Sequence, residues 1–230
     1  MSLRIALVSL FAVIGTIGTI GAGTAQAQIQ TRGPETFPGK NELSLHLGFQ
    51  SGLTSYTTGS GFFAGGPPGG GRFTFDYGYR VNDPGKYSLW LDFGFAFTFG
   101  SGPGVIYTPN GDYASYGGSG YELKPFFGVK LKWRTPIPLV PYAKFNGEVA
   151  GIFGRYCGDN GVGFLAHAAG GVKYFLTRNI GLGIETGFDF GPAHYSGTNF
   201  GDPSCPRYYY PSHTELYSTI DFSAGAEFVF

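Results

Sequence analysis

Two residues whose types and spacing could do chemistry together are His194 and Ser196, in the sequence His-Tyr-Ser. In an extended strand, side chains two positions apart point to the same face, so an imidazole base and a hydroxyl nucleophile would lie side by side. A third group normally orients such an imidazole. Gly191, Pro192 and Gly197 flank the tripeptide and predict that it lies in a loop. The pair is therefore a candidate hydrolytic site that still needs its orienting group.

The elements that must position these residues are strands, because apolar and polar side chains alternate along most of the chain. Leu43, Leu45 and Leu47 oppose Ser44 and His46, and the period is two rather than 3.6. We expect about eight such segments, at 41–50, 72–81, 87–100, 121–133, 140–153, 163–176, 180–190 and 214–230. Trp90, which falls on the polar parity, and Pro125, which lacks a ladder N–H, fit this pattern poorly.

Charged side chains occupy the polar face of these segments. The set is Glu42, Arg72, Asp76, Arg80, Asp92, Glu122, Lys124, Lys130, Lys132, Lys144, Glu148, Lys173, Glu185, Asp189, Asp221 and Glu227. Acids and bases are mixed, so opposite charges can pair if the face is enclosed. His46 and His167 share this face, and we expect them to serve as hydrogen-bonding groups, because no spacing indicates a metal site.

The amino terminus predicts export. Arg4 precedes an apolar run at 5–20, and the Ala25-Gln26-Ala27 triplet follows as a cleavage site. We therefore expect a signal peptide at 1–27, a periplasmic segment at 28–40 and a single β-domain at 41–230. An uncleaved membrane anchor is the alternative, but the glycines at 15, 18, 21 and 23 weaken a spanning helix.

Cys157 and Cys205 are the only cysteines, and both fall outside the predicted strands. In an oxidising compartment we expect them to form a disulfide that links two loops. Two free thiols are the alternative. A metal pair is disfavoured because neither a Cys-x-x-Cys spacing nor a histidine cluster accompanies them.

Composition and connection lengths favour a membrane barrel. Beyond the leader, no run approaches the roughly 18 unbroken apolar residues of a spanning helix. Short connections at 82–86, 134–139 and 177–179 alternate with mostly longer ones at 51–71, 101–120, 155–162 and 191–213. An even-stranded outer-membrane barrel has such tight periplasmic turns and long outer loops. The chain has 15 basic and 15 acidic residues, so no net charge recommends a nucleic acid partner.

A secreted lipocalin is the structural alternative, because it is also an eight-stranded up-and-down barrel. The interior of such a barrel only just accommodates side chains or one small ligand. The many Phe, Tyr, Leu, Ile and Val residues of the apolar faces cannot all fit there. They must point outward, which requires surrounding hydrocarbon. The predicted fold is an all-β, eight-stranded antiparallel transmembrane barrel.

Two stretches resemble a known family. The sequence 223–230, with Gly225, Phe228 and Phe230, matches the polar-x-Gly-x-x-aromatic-x-aromatic insertion signal of outer-membrane barrels. The sequence 170–183 resembles a periplasmic hairpin of the small OmpA-like and opacity-protein-like barrels. The resemblance implies delivery by periplasmic chaperones and insertion by the barrel assembly machinery. We also expect contact with outer-membrane lipids and lipopolysaccharide, and a monomer. The peptidoglycan-binding domain of full-length OmpA is not expected.

His194-Tyr195-Ser196 also resembles the His-x-Ser of outer-membrane lipid A deacylases. That family places an acidic residue about a dozen positions later, where this chain has Tyr208 and its neighbours. The resemblance therefore covers the base and the nucleophile but not the orienting group.

Three functional classes remain open. The first is a non-enzymatic surface barrel with a closed lumen, which strengthens the envelope or binds a host or other surface partner through its tyrosine-rich loops, 101–120 and 191–213. The second is a narrow channel for small solutes or apolar molecules. The third is the lipid-acting enzyme. We favour the first and expect no cofactor and no metal.

Overall fold

The computed structural model describes residues 39–53, 63–65, 69–83, 85–107, 113–153, 160–196 and 212–230, without the side chains of 63–65, 101–119 and His213. These residues form nine β-strands: β1 (Asn41–Gly52), β2 (Phe63–Gly65), β3 (Gly70–Asn82), β4 (Tyr87–Tyr107), β5 (Tyr113–Trp133), β6 (Leu139–Phe153), β7 (Gly161–Phe175), β8 (Ile180–Tyr195) and β9 (His213–Val229).

Eight of the nine strands close into a barrel. Every pairing is antiparallel, and the wall runs β1-β3-β4-β5-β6-β7-β8-β9 and back to β1. The short β2 pairs with β4 only, from Phe63 opposite Ile106 to Gly65 opposite Gly104. The prediction of an eight-stranded antiparallel up-and-down barrel is confirmed. In the part of the chain given above, no helix combines the length and apolar character needed to cross a membrane.

The first and last strands complete the wall. β1 pairs with β9 from Glu42 opposite Val229 to Gly52 opposite Thr219. At the end of this ladder, the Asn41 N–H donates to the Phe230 carbonyl at 3.0 Å, and the Phe230 N–H donates to the Asn41 carbonyl at 2.8 Å. Closure leaves the backbone groups of both strands paired on each side, so neither is an open sheet edge.

Three short connections, 83–86, 134–138 and 176–179, lie at the same end of the barrel as Asn41 and Phe230; we call this the turn end and the opposite one the loop end. Gly85 has a φ of +99°, a left-handed conformation that favours glycine. The Arg134 guanidinium donates to the Gly85 carbonyl at 2.6 Å and pairs with Asp83, which ties two adjacent turns together.

Side-chain direction follows the alternation in the sequence, with apolar residues outside and polar residues inside. Phe127, Phe164 and Ile184 are 61%, 68% and 62% exposed on the outer surface. Trp90 follows the polar parity and is buried inside the barrel, so its position is not a defect in the pattern. Pro125 lies within β5, where the ladder to β6 has no pair between Leu123–Gly151 and Phe126–Glu148. The proline therefore sits where a ladder N–H is not used.

The predicted loop boundaries need correction. Residues 101–107 and 113–120, predicted as loop, continue β4 and β5 and pair with each other from Ser101–Ser119 to Tyr107–Tyr113. Strand β8 likewise continues through Tyr195, and β2 lies within the predicted loop 51–71. These segments are rich in glycine, so their side chains carry no alternating signal. Backbone hydrogen bonds do not depend on side chains, so the strand ladders continue past the last residues that alternate.

Candidate functional site

The barrel interior gathers the polar chemistry of the described residues. Every charged residue predicted for the polar face except Arg80 is buried inside. Arg80 lies near the end of β3; its side chain is 15% exposed, pairs with Asp83 at 2.9 Å and lies over the ring of the buried Trp90, with Cζ 5.8 Å from the ring centroid. Arg80 is therefore at the turn-side margin of the interior. The other predicted charges comprise six cations and nine carboxylates.

The turn-side network comprises the charged residues nearer the short connections: Glu42, Asp76, Asp92, Lys130, Lys132, Lys144, Lys173, Glu185 and Glu227. Its centre is the Lys130 ammonium, whose Nζ lies 2.9 Å from Glu42 Oε1, 3.0 Å from Asp76 Oδ1 and 2.7 Å from Asp92 Oδ1. Lys132 lies 2.8 Å from Glu227 and also pairs with Glu42. Each of these carboxylates thus has a cation beside it, which offsets the cost of burial.

A second part of this network lies deeper in the barrel. Lys144 Nζ is 2.8 Å from Glu185 Oε1. The Tyr142 hydroxyl donates to Glu185 Oε2 at 2.7 Å, so both oxygens of that carboxylate are satisfied. The Asn146 amide donates to Asp92 Oδ2 at 3.2 Å. Neutral side chains therefore fill hydrogen-bonding positions that the lysines leave open.

The loop-side network comprises Arg72, Glu122, Lys124, Glu148, His167, Asp189 and Asp221. Asp189 is its hub, because Oδ2 lies 2.7 Å from Lys124 and 3.2 Å from Arg72 while Oδ1 meets His167 Nδ1. The Gln50 side chain bonds to a cation and to a carboxylate: its carbonyl accepts from Lys124 at 2.8 Å, and its amide donates to Glu122 at 2.9 Å.

One carboxylate of this network is poorly satisfied. Neither oxygen of the buried Glu148 has a hydrogen-bond partner, and its ion pair is a 3.8 Å approach of Oε1 to His167 Nδ1. His167 Nε2 also has no hydrogen-bond partner. A buried, unsatisfied polar group costs free energy, so this corner of the interior differs from the rest.

A cluster of apolar side chains lies toward each end of the interior. The turn-side cap consists of Trp90, Val140, Phe175 and Val229, all fully buried. The Trp90 indole donates to Ser88 at 2.8 Å, and Lys132 Nζ lies 4.7 Å from its ring centroid. The loop-side cap consists of Ala150, Ile152, Leu165, Ala193, Tyr195 and Tyr217. The charged networks lie between the two caps, and each of their residues is at most 7% exposed.

Sequence reasoning missed these caps, together with the roles of Gln50 and Tyr142. The signal that could have found them is an aromatic residue on the polar parity of a strand. Trp90, Tyr142 and Tyr217 all have that parity, and all three lie inside.

The candidate hydrolytic pair lies on the outer surface at the end of β8 rather than in a loop. His194 belongs to the strand, and Ser196 follows it on the same exposed face. His194 Nδ1 lies 3.1 Å from Thr214 Oγ1, whereas the Ser196 hydroxyl donates to the Asn160 carbonyl at 3.1 Å. These hydrogen bonds connect the two side chains to other strands and supply no acidic group to the imidazole.

Two predicted sites remain, the disulfide and the insertion signal, and the structure describes the residues of the second only. Cys157 and Cys205 lie outside the described residues, so their disulfide stays a prediction. Phe228 and Phe230 point outward with ring centroids 5.6 Å apart, and Gly225 lies on the inner face against His46. Their role as an insertion signal also stays a prediction.

A closed wall with an apolar outside and a paired ionic inside defines a class, the inverted β-barrels that fold in a membrane. OprG, an outer-membrane protein of Pseudomonas aeruginosa, matches with a TM-score of 0.52 and 10% identity over 84% of this chain and 98% of its own. Neisserial surface protein A (NspA) covers 83% of this chain and 96% of its own at 14% identity, but its TM-score of 0.47 supports no argument. At this identity the OprG match shows the shared fold. No protein-family model and no curated protein matches the sequence.

Proposed function

We propose that this protein is an integral outer-membrane β-barrel with a closed lumen, which acts in envelope structure or in surface interaction through its loop end. The observation that carries the proposal is the inverted polarity of the wall. Lys124, Lys130 and Lys132 are fully buried, while large aromatic and aliphatic side chains cover the outside. In water this arrangement would expose a continuous apolar surface, whereas a bilayer accommodates it.

Aromatic residues at the turn end support the membrane location. Tyr79, Tyr87, Trp133, Tyr174 and Phe230 all point outward beside the short connections. Aromatic rings concentrate at the level of the lipid headgroups in membrane barrels. Short turns on the same side as Asn41 and Phe230, the two ends of the wall, are the expected periplasmic arrangement. The fold shared with OprG supports the same placement.

The contents of the barrel support a closed lumen. An eight-stranded wall leaves an interior that side chains can fill. Here two apolar caps stand in series with two ionic networks, and a permeating ion would have to displace both kinds of barrier. This arrangement favours a structural or surface role over the alternative of a narrow channel. The lipid-acting enzyme remains the weaker alternative, because the described bonds of His194 and Ser196 lead to Thr214 and Asn160.

The loop end supports the surface role. Strands β4 and β5 continue to pair with each other past Gly100 and Tyr121, the last residues that pair with β3 and β6. A hairpin carried on a rigid barrel can present residues to a partner without loss of its own order. Three tyrosines lie in the sequence 101–120, a residue type suited to protein contact. We therefore propose a protein partner for this segment, and assembly by periplasmic chaperones and the barrel assembly machinery.

Two measurements on detergent-purified protein test the membrane and closure parts together. We expect cold samples to migrate differently from boiled samples on a gel, because a folded membrane barrel resists detergent until it is heated. Planar-bilayer recordings should show no steady, large conductance. Protein that stays monomeric in buffer without detergent would refute the membrane location, and stable open channels would refute the closed lumen.

The surface role is tested by a variant in which residues 101–119 are replaced by a two-residue Asn-Gly turn. Cells that display the natural protein should bind host cells or extracellular matrix better than cells that display the shortened variant. A variant with the same residues in scrambled order is the control for length and composition. Equal binding by all three would argue for a purely structural role in the envelope.

A further inference from the structure

Three side chains from three consecutive strands meet inside the barrel. Glu148 lies on β6, His167 on β7 and Asp189 on β8, and they are 4%, 1% and 0% exposed. One donor atom from each lies within 4.8 Å of the others. An imidazole nitrogen and two carboxylate oxygens at this separation form a donor set that suits a divalent transition-metal ion.

The unsatisfied groups of this cluster point to a missing cation. Both oxygens of Glu148 lack a hydrogen-bond partner, although the side chain is almost fully buried beneath the loop-side cap. The loop-side network holds four carboxylates, Glu122, Glu148, Asp189 and Asp221, but only two permanent cations, Arg72 and Lys124. A divalent ion would balance that difference, and it would give Glu148 the partner that the protein does not provide.

The other carboxylate triad of the interior provides a comparison. The donor atoms of Glu42, Asp76 and Asp92 also lie close enough together to hold an ion. There, the Lys130 ammonium lies 2.7 to 3.0 Å from all three residues and takes the position of a cation. In the Glu148 cluster, Lys124 Nζ lies 2.7 Å and Arg72 3.2 Å from Asp189 Oδ2, but the described ion pairs place neither of these cations against Glu148. The two triads therefore differ in that one lysine contacts every acid of the first, whereas among those ion pairs Glu148 of the second meets only the His167 imidazole.

We propose that Glu148, His167 and Asp189 bind one divalent transition-metal ion of the zinc class inside the barrel. His167 would bind through Nδ1 as a neutral imidazole, so its proton would move to Nε2 and the present contact with Asp189 Oδ1 would become shared coordination. Gly187 leaves room for this ring, because a Cβ there would lie 2.5 Å from His167 Cε1 and 2.6 Å from Asp221 Oδ2. Asp221 thus stands beside the ring as a possible acceptor for the Nε2 proton.

The position of the site decides how the ion enters. Along β6 and β7, Glu148 and His167 are followed toward the loop end by Ala150 and Leu165, which belong to the cap. The ion would therefore be taken up as the barrel folds and would be held afterwards behind apolar side chains. This property goes beyond the proposed surface role and does not depend on it.

The test is metal retention after refolding. The full chain, prepared without a histidine tag, is refolded from urea into detergent micelles with Zn²⁺, and free metal is then removed with a chelator and by gel filtration. We expect the folded wild type to retain one zinc ion per chain by elemental mass spectrometry. Glu148→Gln should lower retention by about tenfold or more, because it removes a ligand. The matched control is Glu122→Gln, which removes the same charge from the same network and should retain zinc.

Gel mobility of cold and boiled samples shows which variants have folded. If Glu148→Gln does not fold, His167→Gln takes its place, and refolding of the wild type with Co²⁺ gives an independent measurement, the visible absorption of coordinated cobalt. Folded wild type that retains no zinc and shows no cobalt absorption would overturn the proposal. Equal loss of zinc in Glu122→Gln and Glu148→Gln would also overturn it, because charge excess alone would then explain binding. Neither result bears on the closed lumen or the surface role.

Discussion

At the scale of single residues, the interior shows how a buried charge is tolerated. Lys130 contacts three carboxylates, and Glu185 contacts both Lys144 and Tyr142. In each case the partners replace the water that burial removes. Glu148 lacks comparable partners. Substitutions at these positions should therefore have different effects, even when they make the same chemical change.

Glu185→Gln should lower the free energy of unfolding by about 3–5 kcal/mol, because it leaves the Lys144 ammonium buried without its carboxylate. The matched change Glu148→Gln, studied in metal-free protein, should be neutral or stabilising, because it removes a charge that has no hydrogen-bond partner. Urea unfolding in detergent, followed by gel mobility, measures both. Equal destabilisation by the two variants would contradict this account of the interior.

The two tryptophans of the chain form a second pair for comparison. Trp90 is 0% exposed in the turn-side cap, and Trp133 is 38% exposed on the outer surface at the same end. Trp90→Ala should cost about 3–5 kcal/mol, because it leaves a cavity beside the ring partner Lys132. Trp133→Ala should cost clearly less. Urea midpoints of the two variants decide the order, and a larger loss at Trp133 would show that the cap contributes little.

At the scale of secondary-structure elements, the barrel wall and the β4–β5 hairpin that extends beyond it are held by different strand pairings. Residues 89–100 pair with β3, and residues 121–132 pair with β6, whereas 101–107 and 113–119 pair mainly with each other. The Asn-Gly replacement of 101–119 should therefore leave the barrel folded, with an unboiled gel band as compact as that of the wild type. Loss of that band would mean that the hairpin also supports the wall.

The last strand forms part of the wall and carries a predicted insertion signal, and the two can be tested separately. Phe228 and Phe230 point outward, so they should add less to folding than to recognition by the assembly machinery. Replacing both with Ala should reduce the amount of folded barrel in the outer membrane of cells, while refolding of the purified chain in detergent stays close to that of the wild type. Phe222→Ala, another outward change on the same strand, is the control and should not reduce assembly. A refolding defect equal to the assembly defect would remove the case for a signal.

At the scale of the whole molecule, the inverted polarity couples the wall and the interior. The apolar side chains on the outside of the wall require surrounding hydrocarbon. The charged side chains therefore lie in the narrow interior, where they are forced into contact with one another. The ionic networks join strands on opposite sides of the barrel, such as β5 and β9, which are four strands apart in the wall and are linked by Lys132 and Glu227 at 2.8 Å. The interior therefore fastens the wall across its diameter, in addition to the hydrogen bonds along its circumference.

Much of this arrangement was predictable because strand geometry is local. The period of two assigned an inner or outer face to Leu45 and Ser44 without any knowledge of their neighbours in space. Glycine and proline clusters marked the turns. The same signal failed in the hairpin beyond Gly100, because glycines have no side chains to alternate, and the backbone of the opposite arm decided the structure there.

What the amino-acid sequence determined by itself is thus the strands, the barrel class and the face on which each charge lies, since these depend on spacing within one segment. Only the tertiary structure decided which charges meet. Lys130 reaches Glu42, 88 positions away, and Glu148 is left beside His167 without a hydrogen-bond partner. Strand register and closure of the wall set those distances. Both are collective properties of all eight strands, and no single segment encodes them.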